Sequence, residues 1–144
     1  RQDRGVLNRW ELEIQPAAET RIVLEESPGV KIPDRDPLGI ERTLSTEAAG
    51  SVAEIEVSVD ITHTYIQDLV VALIAPSGQR VNLHNRTGGS ADNIVATYTL
   101  ATTQELNSLI GQPIQGVWTL HVSDHAGQDV GKLNRWQLKI TKQP

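Results

Sequence analysis

The sequence predicts an all-β protein, a sandwich or barrel of short strands, from three observations. Apolar residues alternate with polar ones through most segments, and turn residues recur roughly every 8–12 positions. The 144 residues contain no Phe and no Met, so the core must come from Val, Ile and Leu, with three Trp and two Tyr. Branched aliphatic side chains favour strands over helices. No segment shows the apolar spacing of a long amphipathic helix.

The N-terminal half contains three candidate strands. Residues 51–62 form a long, largely alternating segment, and residues 21–24 and 40–44 are shorter strand candidates. Within the longer segment the alternation shifts register near Ala53, which predicts a β-bulge or an imprecise strand start at that point.

The centre of the chain predicts a hairpin. Residues 69–74 are a continuous apolar run, which is typical of a strand buried on both faces. Pro76 and Gly78 then predict a tight turn, because Pro fixes φ and Gly accepts positive φ. Residues 80–84 return as the partner strand.

The C-terminal half adds further strands and one turn of helix. Three segments alternate: residues 94–100, 117–122 and 133–140. Trp118 and Trp136 occupy alternating positions in the last two and are predicted core residues. Residues 102–109 predict one short helical turn, which packs Leu106 and the pair Leu109–Ile110 against the sheets.

Composition and charge exclude several classes of function. The formal net charge is −5, and Lys and Arg are scattered, so the sequence offers no basic surface for nucleic acid or an anionic membrane. No apolar run approaches the roughly 20 residues that span a bilayer. Cysteine is absent, which excludes disulfides, thiol catalysis and Cys-ligated metals. The length favours one domain.

Two segments of the chain are nearly the same, with an offset of 126 residues from residue 2 to residue 128. Residues 2–14 (QDRGVLNRWELEI) align with residues 128–140 (QDVGKLNRWQLKI), and nine of the thirteen positions are identical. We interpret this as a tandem array, in which residues 1–16 are the last strand of a preceding copy or a linker. Residues 17–144 are then the complete domain. The alternative is a pair of similar strands within one domain.

Five segments, taken in chain order, carry a recognisable pattern. They are Ile32-Pro33-Asp34 with Gly39-Ile40, residues 59–71 (VDITHTYIQDLVV), residues 73–78 (LIAPSG), residues 116–124 (GVWTLHVSD), and the closing positions Gly131, Leu133, Trp136, Leu138 and Ile140. Together they resemble the P domain of proprotein convertases, the kexin- and furin-like serine proteases. One departure is Gln67, where that family usually has Gly, and its usual basic residue slightly upstream is also missing.

This resemblance implies a jelly-roll β-sandwich of about eight antiparallel strands that is not itself catalytic. In the family, the domain packs on a catalytic domain and influences its folding, its stability and the pH or calcium dependence of its activity. The implied partner is a catalytic protease domain or a neighbouring P domain in the same chain, in a secreted or cell-surface bacterial protein. Neither nucleic-acid binding nor membrane insertion is expected. The alternative is a carbohydrate- or matrix-protein-binding jelly roll, which would need a row of exposed aromatic rings.

The residues themselves offer no catalytic constellation. No Ser lies in a Gly-x-Ser-x-Gly elbow, and no histidines have zinc-ligand spacing. His63 and Asp68 are five residues apart across a short turn, and a structural His–Asp tie that fixes this turn is favoured over catalysis. His121 and His125 flank a later turn and are interpreted as rim residues.

Aspartates in predicted turns are the candidate metal ligands. Calcium takes about six to eight oxygen ligands from carboxylates, carbonyls and water. Asp34, Asp92 and Asp124 are the candidates for a structural calcium site, although no Asp-x-Asp-x-Asp-Gly loop defines one. The alternative is that these carboxylates cap backbone N–H groups in their own turns.

Overall fold

Nine strands build two antiparallel sheets in the part of the chain that the structure describes, residues 21–127 and 131–143 of a computed structural model. In chain order they are β1 (Arg21–Glu26), β2 (Val30–Ile32), β3 (Asp36–Thr46), β4 (Val52–His63), β5 (Leu69–Ile74), β6 (Arg80–Asn85), β7 (Ile94–Tyr98), β8 (Gly116–Asp124) and β9 (Gly131–Lys142). The segment interpreted as a strand of a preceding copy, residues 1–16, lies outside the described residues.

The order of the strands is that of a jelly roll. Sheet 1 has the order β1–β9–β4–β7, with β2 also paired to β9, and sheet 2 has the order β3–β8–β5–β6. Every pairing is antiparallel. The chain therefore passes repeatedly between the two layers, and the fold class implied by the resemblance is confirmed.

The ninth strand arises because the first jelly-roll strand is split in two. β1 and β2 both pair with β9: Glu26 lies opposite Trp136, and Val30 lies opposite Leu133. Three residues on one side thus face two on the other, which is a bulge. Pro28 lies in the interruption and has no N–H to donate to a ladder. The nine segments fill about eight jelly-roll positions, as expected.

The core lies between the sheets and contains the residues that the alternation predicted. Trp118 and Trp136 are fully buried, and their indole N–H groups donate to the Ile114 carbonyl and to Glu26 Oε1 at 2.9 and 3.1 Å. The expected register shift in β4 is confirmed, between Val52 and its next paired residue in the ladder with β9.

The buried apolar run of β5 is confirmed for four of its six residues. Leu69, Val71, Ala72 and Leu73 are buried, whereas the other two positions are half-buried. β6 returns antiparallel to β5, and the Gly78 N–H donates to the Ala75 carbonyl at 2.8 Å, so the predicted tight turn is confirmed.

Two short 3₁₀ helices lie between strands, at Ile66–Asp68 and Gln104–Leu109. The second is the predicted helical turn and buries Leu106 and Leu109. The prediction for Ile110 was wrong, because that residue has extended backbone dihedrals after the helix ends and its side chain is exposed. Over the described ranges, the chain forms no helix with the length and apolar character of a membrane span.

Candidate functional site

A buried cluster of three ionisable side chains lies at one end of the sandwich. His63 is the last residue of β4, Asp68 ends the first 3₁₀ helix, and Asp124 is the last residue of β8. All three are buried. β5 begins directly after Asp68, and its first residue, Leu69, pairs with Asp124. The turn after β4 and the end of β8 therefore bring the three side chains together.

Hydrogen bonds fix the proton on the imidazole of His63. The Tyr65 N–H donates to His63 Nδ1 at 3.0 Å, so that nitrogen carries no proton. The Nε2–H consequently donates to Asp124 Oδ2 at 3.0 Å. The Ala126 N–H donates to Asp124 Oδ1 at 3.1 Å. Both oxygens of this carboxylate thus have a donor, and both ring nitrogens of His63 have a partner.

The cluster connects the two sheets, because His63 belongs to sheet 1 and Asp124 to sheet 2. Asp68 contributes a carboxylate whose oxygen lies within 4.8 Å of the His63 and Asp124 ligand atoms, and its backbone carbonyl accepts the His125 N–H at 2.8 Å. Sequence spacing suggested His63 and Asp68 as partners but missed Asp124, which is 61 residues from His63. No signal in spacing alone identifies a partner that distant.

This arrangement is suited to stabilising the fold rather than to catalysis. A general base needs a free nitrogen within reach of a substrate proton. In His63 one ring nitrogen accepts from the backbone, the other donates to Asp124, and the side chain is fully buried. The geometry therefore gives His63 the role of an inter-sheet tie.

The donor set of the cluster does not fit calcium, and the proton on His63 is placed unfavourably for a metal ligand. Calcium prefers oxygen ligands, and only two carboxylates and an imidazole converge in this group. A metal-bound histidine usually donates its second ring N–H to a carbonyl or carboxylate, whereas His63 Nδ1 is an acceptor. Of the three predicted calcium ligands, Asp124 belongs to the cluster. Asp34 lies in the turn before β3 and Asp92 in the loop before β7, and neither is part of the group.

A second polar contact joins the sheets at their β1–β3 edge. Glu26 of β1 accepts hydrogen bonds from the Arg42 guanidinium of β3, at 3.1 Å from Nε, and from Trp136 of β9. The hydrogen bonds from Arg42 hold the pKa of Glu26 below its usual value. The same contact raises the pKa of Arg42. Nothing in the sequence pattern identified this pair, since Glu26 looks like any exposed residue at a strand end.

The other histidines each have a partner of their own. His84 Nε2 donates to the Ile66 carbonyl at 2.9 Å, and His121 Nε2 donates to the Leu38 carbonyl at 2.7 Å. His125 lies 2.7 Å from the Ser123 hydroxyl. His121 and His125 are half-buried, which agrees with the prediction that they are rim residues.

Aromatic side chains in the described part of the chain do not form an exposed row. Trp118 and Trp136 are fully buried, and Tyr98 is partly buried against the core. Tyr65 is exposed by itself beside the His63 turn. A carbohydrate-binding face would need several exposed rings together, so these residues give that alternative no support.

The jelly-roll fold and the buried His63–Asp124 tie define a β-sandwich domain in which this polar contact joins the two sheets. Residues 52–140 match the family model of the proprotein convertase P-domain. The match covers more than half of the chain, and the chain belongs to this family. The resemblance predicted from the sequence is therefore confirmed.

Similar proteins carry this sequence as a small part of a longer chain. The chain is 43% identical over 116 residues to leupeptin-inactivating enzyme 1 of Streptomyces exfoliatus, covering 79% of this chain and 25% of that protein. It is 39% identical over 112 residues to a calcium-dependent protease of Trichormus variabilis, covering 76% and 17%. The chain thus spans a quarter or less of these relatives.

A similar fold is present in a solved structure, the serine protease of Aeromonas sobria in complex with its chaperone. The TM-score is 0.62 with 20% sequence identity, over 86% of this chain and 27% of that one. At this identity the likeness concerns the fold alone.

Proposed function

We propose that this chain is a non-catalytic accessory domain that docks on the catalytic domain of a secreted bacterial protease and stabilises it. The observation that carries the proposal is the match to a P-domain family over residues 52–140, together with similarity to a short part of a bacterial protease. Docking stabilises by linkage, because a partner that binds only the folded state shifts the folding equilibrium toward that state.

The outer face of sheet 2 is the docking surface that we propose. The accessible outward positions of its two central strands are largely apolar or hydroxyl-bearing: Val70 and Ile74 of β5, which are half-buried, and Val117 and Thr119 of β8. Val117 is 50% exposed, and Leu38, beside His121, is 82% exposed. A patch of this composition resembles the apolar centre of a protein–protein interface.

The outer face of sheet 1 has a different character. Its outward side chains are mostly polar and bond to one another: Arg135 donates to Glu25 at 2.6 Å, and the hydroxyls of Ser58 and Thr97 lie 2.9 Å apart. The polar groups of this surface form hydrogen bonds with one another and are accessible to water, so they do not need a protein partner. The contrast between the two faces is the reason to place the catalytic domain against sheet 2.

A chimaeric enzyme tests both the docking and its location. The matching 112-residue region of the Trichormus protease would be replaced by this domain, and the half-life of proteolytic activity would be measured at elevated temperature. We expect the chimaera to outlast the same enzyme with that region deleted. Equal half-lives would contradict the proposal, as would turnover of a generic peptide substrate by this chain alone.

Two matched substitutions locate the surface within the chimaera. Val117→Asp places a charge on the outer face of sheet 2, and Val95→Asp places one on that of sheet 1, where Val95 is 75% exposed. Both are expected to change the free energy of unfolding of the isolated domain by less than about 1 kcal/mol. Val117→Asp should shorten the half-life of the chimaera to that of the deletion, and Val95→Asp should leave it unchanged. The reverse result would move the interface to sheet 1.

A structural calcium, expected from the turn aspartates, has support from the names of two relatives, both calcium-dependent proteases, whereas the contacts of the expected ligand Asp124 oppose it. Both Asp124 oxygens already accept hydrogen bonds, so this residue is a poor calcium ligand. We expect the thermal midpoint of this chain to be the same after EDTA treatment and after calcium is restored. A calcium-dependent rise that Asp34→Asn or Asp92→Asn abolishes would instead establish a site in the loops that carry these residues.

A further inference from the structure

The buried positions of β9, in sheet 1, accept only certain residues, and residues 2–14 have the same residues at the corresponding positions. β9 lies between β1 and β2 on one side and β4 on the other. Five of its positions are buried, and all five have an identical residue 126 positions earlier: Gly131, Leu133, Trp136, Leu138 and Ile140 correspond to Gly5, Leu7, Trp10, Leu12 and Ile14. At Gly131 a Cβ atom would lie 2.6 Å from His63 Cδ2, so only glycine fits.

Two of the outward side chains of β9 that bond to neighbouring strands are repeated as well. Asn134 Nδ2 donates to Asp60 Oδ1 at 3.2 Å and to Thr62 Oγ1 at 2.8 Å, and Arg135 donates to Glu25. Asn8 and Arg9 occupy the corresponding positions of the N-terminal segment. The identities therefore include every position of this stretch that packs into the core and two of the outward positions that bond β1 and β4.

The differences between the two segments change the charge next to two glutamates. Gln137 donates to Glu25 at 2.9 Å, and Lys139 lies opposite Glu56 of β4. The N-terminal segment has Glu11 and Glu13 at these positions. In the place of β9 it would bring like charges together at both. Each like-charge pair should lower the ratio of molecules with residues 2–14 in this place to molecules with β9 there by roughly two- to fivefold.

The chain is long enough for residues 2–14 to reach this place within one molecule. Ile22 of β1 pairs with Ile140. With Ile14 in the position of Ile140, Gln15 would lie opposite Arg21 and residues 16–20 would form the connection. A hairpin loop commonly has about 2–5 residues, and the direction is antiparallel as β1 requires.

We propose that residues 2–14 are a second strand for the place of β9 in sheet 1, competing with β9 in the same chain. Gln137 and Lys139 give β9 the advantage. The proposal does not depend on docking to a protease. It also fits the interpretation of a tandem array, because the closing strand of one copy would then stand five residues before the first strand of the next, and could pair with either copy.

Crosslinking from β1 distinguishes the two occupants. Val23 lies opposite Lys139, and Glu13 would take that position in the exchanged form. The chain has no cysteine of its own, so Val23→Cys, Lys139→Cys and Glu13→Cys introduce three unique thiols. After refolding, a short crosslinker with two thiol-alkylating groups is added, and digestion with mass spectrometry measures the ratio of links 23–13 to 23–139.

A charge exchange then shifts the ratio in a predictable direction. In the three-cysteine protein we expect mostly the 23–139 link with a minor 23–13 link. Adding Glu11→Gln and Gln137→Glu should raise the ratio of 23–13 to 23–139 by roughly five- to twentyfold, since the first substitution removes a like-charge contact with Glu25 from residues 2–14 and the second adds one to β9. The double variant Val23→Cys with Thr97→Cys is the control, because β1 and β7 lie at opposite edges of sheet 1.

Two outcomes would overturn the proposal. One is a 23–139 link alone in both proteins, which would show that the N-terminal segment never enters the sheet. The other is a 23–13 link found exclusively between two molecules, as a crosslinked dimer, which would exclude exchange within one chain. Formation of the 23–139 link in the three-cysteine protein shows that this protein folds with β9 in sheet 1.

Discussion

Gly39→Ala is expected to lower the free energy of unfolding by about 3–5 kcal/mol, in the range of the most damaging single substitutions. Gly39 has a φ of +63°, and a Cβ atom there would overlap the Val122 carbonyl oxygen and lie 2.8 Å from Ser123 Cα. These atoms are backbone of β8, between β3 and β5, and cannot move without breaking ladder hydrogen bonds. Denaturation by urea, followed by circular dichroism, measures the change.

Gly29→Ala is the matched control for this prediction. Gly29 has nearly the same φ, +57°, but the nearest atom to its added Cβ would be the flexible Lys132 Cε at 3.6 Å. The backbone strain alone costs roughly 1–2 kcal/mol. If the two variants lose equal stability, the close approach of β3 to β8 is not what constrains Gly39.

Removal of the imidazole from the inter-sheet tie is the second large effect. His63→Ala should destabilise the domain by about 3–5 kcal/mol, because it leaves the buried Asp124 carboxylate without its main side-chain donor and opens a cavity. Asp124→Ala should have a similar effect for the same reason. The free energy of unfolding of both single variants and of the double variant forms a complete cycle.

The cycle separates the pair from the two individual residues. Since His63 and Asp124 bond to one another at 3.0 Å, the double variant should be more stable than the sum of the single effects implies, by roughly 1–3 kcal/mol. His84→Ala removes a half-buried histidine with one hydrogen bond to a carbonyl and should cost only about 1 kcal/mol. Strictly additive effects at His63 and Asp124 would show that the tie does not couple the sheets.

The strongly alternating strands could be predicted from the sequence, and the irregular ones could not. β4, β8 and β9 have regular inward Val, Ile, Leu and Trp, and the family pattern added their order in a jelly roll. β3 was predicted over residues 40–44 but begins at Asp36. Its first residues include Pro37 and Gly39, which lie within a register shift against β8 between Asp36 and Ile40. Such pairing depends on the neighbouring strand and leaves no periodic signal.

The partners within the candidate site were predictable only in part. The spacing of His63 and Asp68 across a short turn suggested that these two residues are partners. Asp124 was predicted as a calcium ligand and not as the partner of His63. Which carboxylate receives the His63 proton depends on how β4 and β8 face each other across the sandwich. Hydropathy patterns place residues on a face but do not specify which residues meet across the core. The Glu26–Arg42 contact was missed for the same reason.

The position of β9 also determines when the domain can be completed during synthesis. β9 is the last strand made, yet it is the one that pairs with β1, β2 and β4. Until the ribosome has released these residues, the edges of β1, β2 and β4 that pair with β9 in the final sheet are open to residues 2–14, the competing segment that we propose. The other eight strands of the domain therefore leave the ribosome before β9 does, and the pairing of β9 with β1, β2 and β4 is the last strand pairing of the domain that can form.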